Sequence, residues 1–172
     1  DWLIELADRA GTRATVGVPG TWNVDLVAPE LDNVRAVLEW ALEHEPERGL
    51  ELAAALEGFW LVREPHEGAA RLEPLLARIP DSEPELRAHA LRALGGALDR
   101  SGGSEAAAPF YRQSLELFIA SGDEVQTANL RYRVAGNMVN RGETAAAWPL
   151  LEESLRTFRH LGVPRGEAQV LG

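Results

Sequence analysis

The sequence predicts an all-α chain built from repeated helix hairpins. Two observations carry that expectation. Apolar residues recur at spacings of three and four, and no alternating Val/Ile/Thr run of useful length signals a strand. The chain also repeats itself: a shift of 40 superimposes Ala88 on Ala128 and Ala168, Gly102 on Gly142, Ala107 on Ala147, Pro109 on Pro149, Leu115 on Leu155, and Phe118 on Phe158. Self-similarity at a fixed period of about 20–50 residues is the signature of stacked structural units.

Taken in order, a first short helix is expected over residues 2–10, followed by a glycine- and threonine-rich connection at 11–20. Pro29 stands where a first-turn proline belongs, and Leu31, Val34, Leu38 and Leu42 then line one helical face. Hairpins follow at about 47–62 with 67–78, 84–100 with 104–120, and 124–140 with 143–161, and a last helix opens near Arg165. Gly102, Gly122, Gly142 and Gly162 fall at the breaks, where a left-handed residue closes a helix without steric penalty. Residues 1–46 thus form an N-terminal helical part. Residues 47–172 form the repeats, about 47–80, 84–122 and 124–162, with the start of another at 164.

The repeated positions have a packing logic. Two antiparallel helices touch closely only where one carries a small residue, so Gly68, Ala107 and Ala147 mark the crossings. Leu72, Tyr111 and Leu151, then Leu76, Leu115 and Leu155, lie four and eight residues on along the same face. Ser114 and Ser154 take small packing positions, and Phe118 and Phe158 cap their helices hydrophobically. A hairpin of this size has too little interior of its own and must bury its other face on the next. Trp40, Phe59 and Trp60 stand at the junction with the first unit, where core packing is favoured over a ligand-binding box.

Composition removes whole classes of function. A net charge of -10 opposes a nucleic-acid footprint, which needs clustered cations, so no direct nucleic-acid contact is expected. All the basic residues are arginine. The absence of cysteine excludes disulfides, thiolate metal sites and cysteine nucleophiles. His44, His66, His89 and His160 are scattered, none with a partner three or four residues on, so no helix-borne metal pair is expected. The nearest imitation of a P-loop, GTRATVGVPGT, has no lysine. The paired carboxylates Glu43/Glu45 and Glu152/Glu153 fall on exposed helix faces, and Glu152 stands four before Arg156, the favourable order for a surface ion pair. No catalytic residue, metal or cofactor is therefore expected. No apolar run reaches the length of a membrane helix, and nothing resembles a secretory leader, so no membrane contact and a cytoplasmic setting are the expectation. The start at Asp1 and the stop inside a helix-like pattern read as a piece cut from a longer protein.

The units resemble the tetratricopeptide repeat. The middle one gives Leu91, Leu94-Gly95, Leu98, Gly102, Ala107, Tyr111 and Ser114. The third gives Val134-Ala135, Met138, Gly142, Ala147, Leu151 and Ser154, with Arg131 where an apolar residue is usual. The first is more degenerate: Leu52, Ala55-Leu56, Phe59, Arg63, Gly68, Leu72 and Leu75. Each unit is about six residues longer than the usual repeat. The stretch WNVDLVAPELDNVRAVLEWAL at 22–42, followed by Leu52 to Leu56, Phe59-Trp60 and Val62-Arg63, is also similar to a segment of large bacterial regulators of the signal-transduction ATPase (STAND) class. In those regulators this segment follows the nucleotide-binding part and precedes long repeats ending in Phe-x-x-x-Gly-Asp, as at 118–123.

These resemblances imply a right-handed superhelix of stacked antiparallel hairpins. They imply a non-catalytic module that senses an effector or partner for an ATPase transcription regulator, residues 1–46 linking to an upstream ATPase part. The full-length protein would then be a P-loop ATPase, a class whose members often also carry a LuxR-type or SARP-type helix-turn-helix domain, or a cyclase domain. The implied partner is a protein or peptide, or the ATPase part itself, with a homodimer through the last repeat as a further possibility. The rival readings are a free-standing scaffold or peptide-binding adaptor, and an accessory helical domain of an enzyme whose site lies elsewhere. Tetratricopeptide arrays bind along a concave face lined by the first helix of each unit. That register selects Glu57, Trp60 and Leu61, then His89, Arg92, Asp99 and Arg100, then Asn129, Tyr132 and Asn140. Arg92 and Arg100 could grip the carboxylate terminus of a peptide, or could simply be solvated and paired with Asp99 and neighbouring acids.

Overall fold

A computed structural model describes residues 2–13 and 22–172. Among them lie ten α-helices and no strand: α1 (Trp2–Arg9), α2 (Leu31–His44), α3 (Pro46–Ala55), α4 (Glu57–Val62), α5 (Pro65–Arg78), α6 (Pro84–Arg100), α7 (Ser104–Ser121), α8 (Glu124–Asn140), α9 (Thr144–Leu161) and α10 (Pro164–Leu171). The expected connection at 11–20 lies largely outside the described residues. Proline opens α3, α5, α6 and α10, where its missing N–H costs nothing. Pro29 sits in a short 3-10 turn, Ala28–Glu30, that runs straight into α2. Asp123 caps α8 by accepting from the Gln126 amide, and Glu83 caps α6 through the Glu85 and Leu86 amides. The glycines at 102, 122, 142 and 162 all have φ between 65° and 85°, the left-handed conformation expected of them.

The expectation of one helix over 47–62 is corrected. The chain breaks at Leu56 into α3 and α4 without any proline or glycine at that position. The cause is tertiary. Thr12, just after α1, is fully buried; its hydroxyl reaches the Ala55 carbonyl at 2.9 Å, and its own carbonyl accepts from the Gly58 amide at 2.7 Å. The Trp60 indole N–H donates to the Ala53 carbonyl at 2.9 Å. Groups released by the break are thereby satisfied from α1's flank and from α4 itself, as buried backbone polar groups must be.

Packing follows chain order. Beyond α5, each helix lies chiefly against its neighbours in sequence, α6 on α7, α7 on α8, α8 on α9 and α9 on α10. The largest buried cluster joins residues of α1 to α6, and smaller ones tie α6 to α8 and α8 to α10. The 40-residue repeat reappears as contacts. Ser114 donates to the Ala88 carbonyl and Ser154 to the Ala128 carbonyl, both at 2.7 Å and both fully buried. The close crossings are real: a Cβ on Gly68 would lie 2.5 Å from the Trp60 Cβ, and one on Gly95 would lie 2.9 Å from the Tyr111 ring. Phe118 and Phe158 are buried as expected of caps. Arg131, the departure from an apolar position, reaches Glu153 of α9 at 3.0 Å. Glu152 accepts from the Trp148 indole rather than pairing with Arg156.

Trp40 does not pack in the core. Phe59 and Trp60 do, edge to face at 5.4 Å and about 1% exposed, but Trp40 is half-exposed and stacks on His44 at 4.8 Å. Trp40 stands two residues from Leu38 and one from Ala41, off the three-and-four spacing of the buried face Val34, Leu38 and Ala41, and so points outward. It borders a shallow hollow with Trp2, Leu3, Ile4 and Val37 between α1 and α2.

Candidate functional site

A cleft of about 490 Å³ opens chiefly between the even-numbered helices α4, α6, α8 and α10, with Trp22, Tyr111 of α7 and Leu151 of α9 also on its lining. Its wall is Leu61 and Val62 of α4, Asp99 and Arg100 of α6, Tyr132, Arg133, Gly136, Val139 and Asn140 of α8, and Gln169 and Val170 of α10. Helical periodicity explains the set from α8: residues 132, 133, 136, 139 and 140 recur at three and four along one stripe. Gly136 leaves the middle of that stripe open, with nothing within 4 Å of where a Cβ would be. Gly96 faces it from α6, where a Cβ would lie 2.8 Å from Leu61.

Of the residues that the repeat register selects, the cleft brings together Asp99, Arg100, Tyr132 and Asn140, together with Leu61. Glu57, Trp60, Arg92 and Asn129 do not line it, each being about 1% exposed. Trp60 belongs to the core. Asn129 accepts from Gln169 at 3.2 Å, joining α8 to α10. His89 faces a separate hollow with Glu47, Glu51, Glu83 and Glu85.

Arg92, expected to point toward a ligand, is committed inside the protein. Its Nε and Nη2 donate to Glu57 Oε2 at 3.1 and 2.9 Å, its Nη1 donates to Gln126 Oε1, and its guanidinium lies 5.8 Å from the Phe118 ring centre. The second oxygen of Glu57 lies 3.1 Å from Arg133 Nη2. One carboxylate on α4 therefore serves two arginines, one on α6 and one on α8. Burial pulls the Arg92 pKa below the ordinary arginine value despite Glu57. Burial acts on Arg133 too, but Glu57 and the adjacent Tyr111 hydroxyl outweigh it, and its pKa is raised. Arg133 keeps 15% of its side chain exposed and its Nε has no hydrogen-bond partner. It is the one member of the triad that reaches the cleft.

Asp99 is occupied differently. It accepts from Ser104 at 2.6 Å and Asn137 at 3.0 Å, with Asn140 at 3.4 Å, all neutral donors. Arg100 beside it is exposed and has no ion-pair partner among the described residues. The arginines therefore outnumber the acids at the cleft and its floor: Arg92, Arg100 and Arg133 against Glu57 and Asp99. Arg133 is the residue that the repeat register misses. A signal for it exists, since unit two has Ala93 at the equivalent position, and a charge breaking an otherwise apolar repeat marks a special contact.

The His89 imidazole packs edge-to-face on Phe118 at 5.1 Å. Burial, reinforced by the Arg92 charge, pushes its pKa down to about 4. Unfolded histidine titrates near its ordinary value, so between about pH 6.5 and 4 the unfolded chain binds the extra proton. The resulting stability is complete above pH 6.5 and is lost as pH falls toward 4. Comparison with His89→Leu by urea denaturation at pH 7 and pH 4 should show the native chain losing about 2–3 kcal/mol more than the variant.

Among the described residues no cluster of three or more His, Asp or Glu side chains is placed to hold a metal ion, and no helix is long and apolar enough to cross a membrane. No protein-family model matches the chain, and no curated protein matches it.

Proposed function

We propose that the chain is a non-catalytic helical-repeat interaction module whose partner, a polypeptide segment, docks in the cleft between α4, α6, α8 and α10. The observation that carries this reading is the composition of that cleft. Leu61, Val62, Val139 and Val170 supply apolar contact, and Arg100, Arg133, Tyr132 and Asn140 supply a few polar groups of fixed orientation. Recognition sites are commonly concave and mostly apolar with sparse, well-placed polar groups. The recurring Ser114–Ala88 and Ser154–Ala128 contacts support reading the units as repeated hairpins of a tetratricopeptide-like kind. The similarity of residues 22–63 to STAND-type regulators supplies the setting: the docked segment is an effector protein or the regulator's own ATPase part, and docking reports the partner's presence.

Gly136 offers a clean test. Nothing lies within 4 Å of where a Cβ would stand at 136, so a tryptophan there would start into the cleft, and it removes a glycine from a helix interior. Peptides selected from a phage-displayed random library on the native chain should bind Gly136→Trp at least about 30-fold more weakly, a loss of roughly 2 kcal/mol or more, with no drop in thermal midpoint. Equal binding to both proteins would place the docking site elsewhere.

A further inference from the structure

We infer that the cleft selects an acidic polypeptide segment, holding one Asp or Glu carboxylate between Arg133 and Arg100 with an adjacent apolar side chain against Val62, Val139 and Val170. The inference rests on the cleft being a docking site, and it adds what that site recognises.

Charge accounting carries it. A buried arginine needs a carboxylate partner, because an unpaired charge in a low-dielectric interior is costly. Here Glu57 is divided between Arg92 and Arg133, and Arg92 holds it through two donors to one oxygen. Arg133 is left with one ion contact, an unpartnered Nε, and the part of its side chain that opens into the cleft. Its neighbour Tyr111 adds a hydroxyl but no charge. Arg100 lies on the same wall without an ion-pair partner among the described residues. Asp99, the acid closest to hand, is already surrounded by Ser104, Asn137 and Asn140.

The cleft is thus a locally cationic place on a chain of net charge -10. An arriving carboxylate would give Arg133 a second ion contact beside Glu57, and Arg100 its first among the described residues. A guanidinium offers paired N–H donors that match a carboxylate, and a water-excluding wall strengthens the bond. The apolar share of the lining and a volume several times that of a small anion favour a peptide over free phosphate or acetate.

The probe is a random dodecamer library displayed on phage, panned on the native chain and counter-selected on Gly136→Trp. Enriched sequences should carry Asp or Glu beside an apolar residue. A synthetic peptide from that set should lose about 30-fold in affinity on Glu→Gln, the scale of losing one partner of a desolvated charge pair. Arg100→Ala should weaken the acidic peptide about five- to tenfold, and the loss should shrink for the Gln peptide, the mark of a direct coupling. Arg133→Gln is the stronger variant, but it also disturbs Glu57. Arg100→Ala, on an exposed side chain, keeps the test valid if Arg133→Gln folds poorly. Binders that respond to Gly136→Trp but are indifferent to Glu→Gln and to Arg100→Ala would overturn carboxylate selection and leave docking intact. A library that yields no binder sensitive to Gly136→Trp would overturn both.

Discussion

Glu57→Gln should lower the stability of this chain by about 3–5 kcal/mol, the scale of stranding a charge in a protein interior. Glutamine matches the shape and can still accept a hydrogen bond, but it removes the only negative charge among the described residues that Arg92 touches. Arg92 is 1% exposed and has nowhere to turn. Arg133 borders the cleft and keeps 15% of its side chain exposed, against 1% for Arg92, so the loss should fall mainly on Arg92. The double change Glu57→Leu with Arg92→Met should recover most of the stability, because an apolar pair of similar volume carries no desolvation cost. Urea denaturation of the three proteins checks the pattern. A single variant within about 1 kcal/mol of the native chain would mean that the pair is not held as described.

Trp60→Ala should cost a similar amount, about 3–5 kcal/mol, for a different reason. The ring fills the space where α4 and α5 cross, with Gly68 pressed against its Cβ and Phe59 edge-on beside it. Truncation leaves a cavity that these helices cannot close without moving. It also strips the Ala53 carbonyl of the indole donor at the α3–α4 break. Trp60→Phe separates the two contributions, retaining most of the packing and losing the hydrogen bond, for about 1–2 kcal/mol. If alanine and phenylalanine cost the same, the hydrogen bond rather than the cavity dominates.

These two residues show what the sequence makes legible. Helix boundaries from Pro84 onward follow from prolines, capping acids and corner glycines, because each signal is local and each unit repeats the last. The α3–α4 break is not local. It depends on Thr12, more than forty residues upstream, reaching a carbonyl that a continuous helix would have used. Trp60 at a helical position can be assigned to the core by periodicity alone, and the repeat register that selects it for a groove conflicts with that assignment. Trp40 fails in the opposite direction: it groups with Phe59 and Trp60 as an aromatic of the junction, but it lies off the three-and-four stripe of Val34, Leu38 and Ala41 that α2 buries. At the cleft, Asp99, Arg100, Tyr132 and Asn140 are reachable from the register. The pairing of Glu57 with Arg92 and Arg133 is not, because it joins residues 35 and 76 apart by contacts that no single-unit pattern encodes. What the sequence does carry is the anomaly itself, an arginine at 133 and another at 131 where the preceding unit has Ala93 and Leu91.

The Glu57 tie also bears on how the chain would respond to force. Helices beyond α6 hold mainly to their neighbours, so traction on the two ends should peel α10, then α9, in small steps at low tension. The stretch between residues 57 and 133 is different, because one carboxylate fastens its first helix to helices two and four places further along the chain. Extension there must shear two ionic contacts at once before any length is released. Under load the chain should therefore yield gradually from its C-terminal end and then stop at a single larger rupture, with the shared carboxylate acting as the catch.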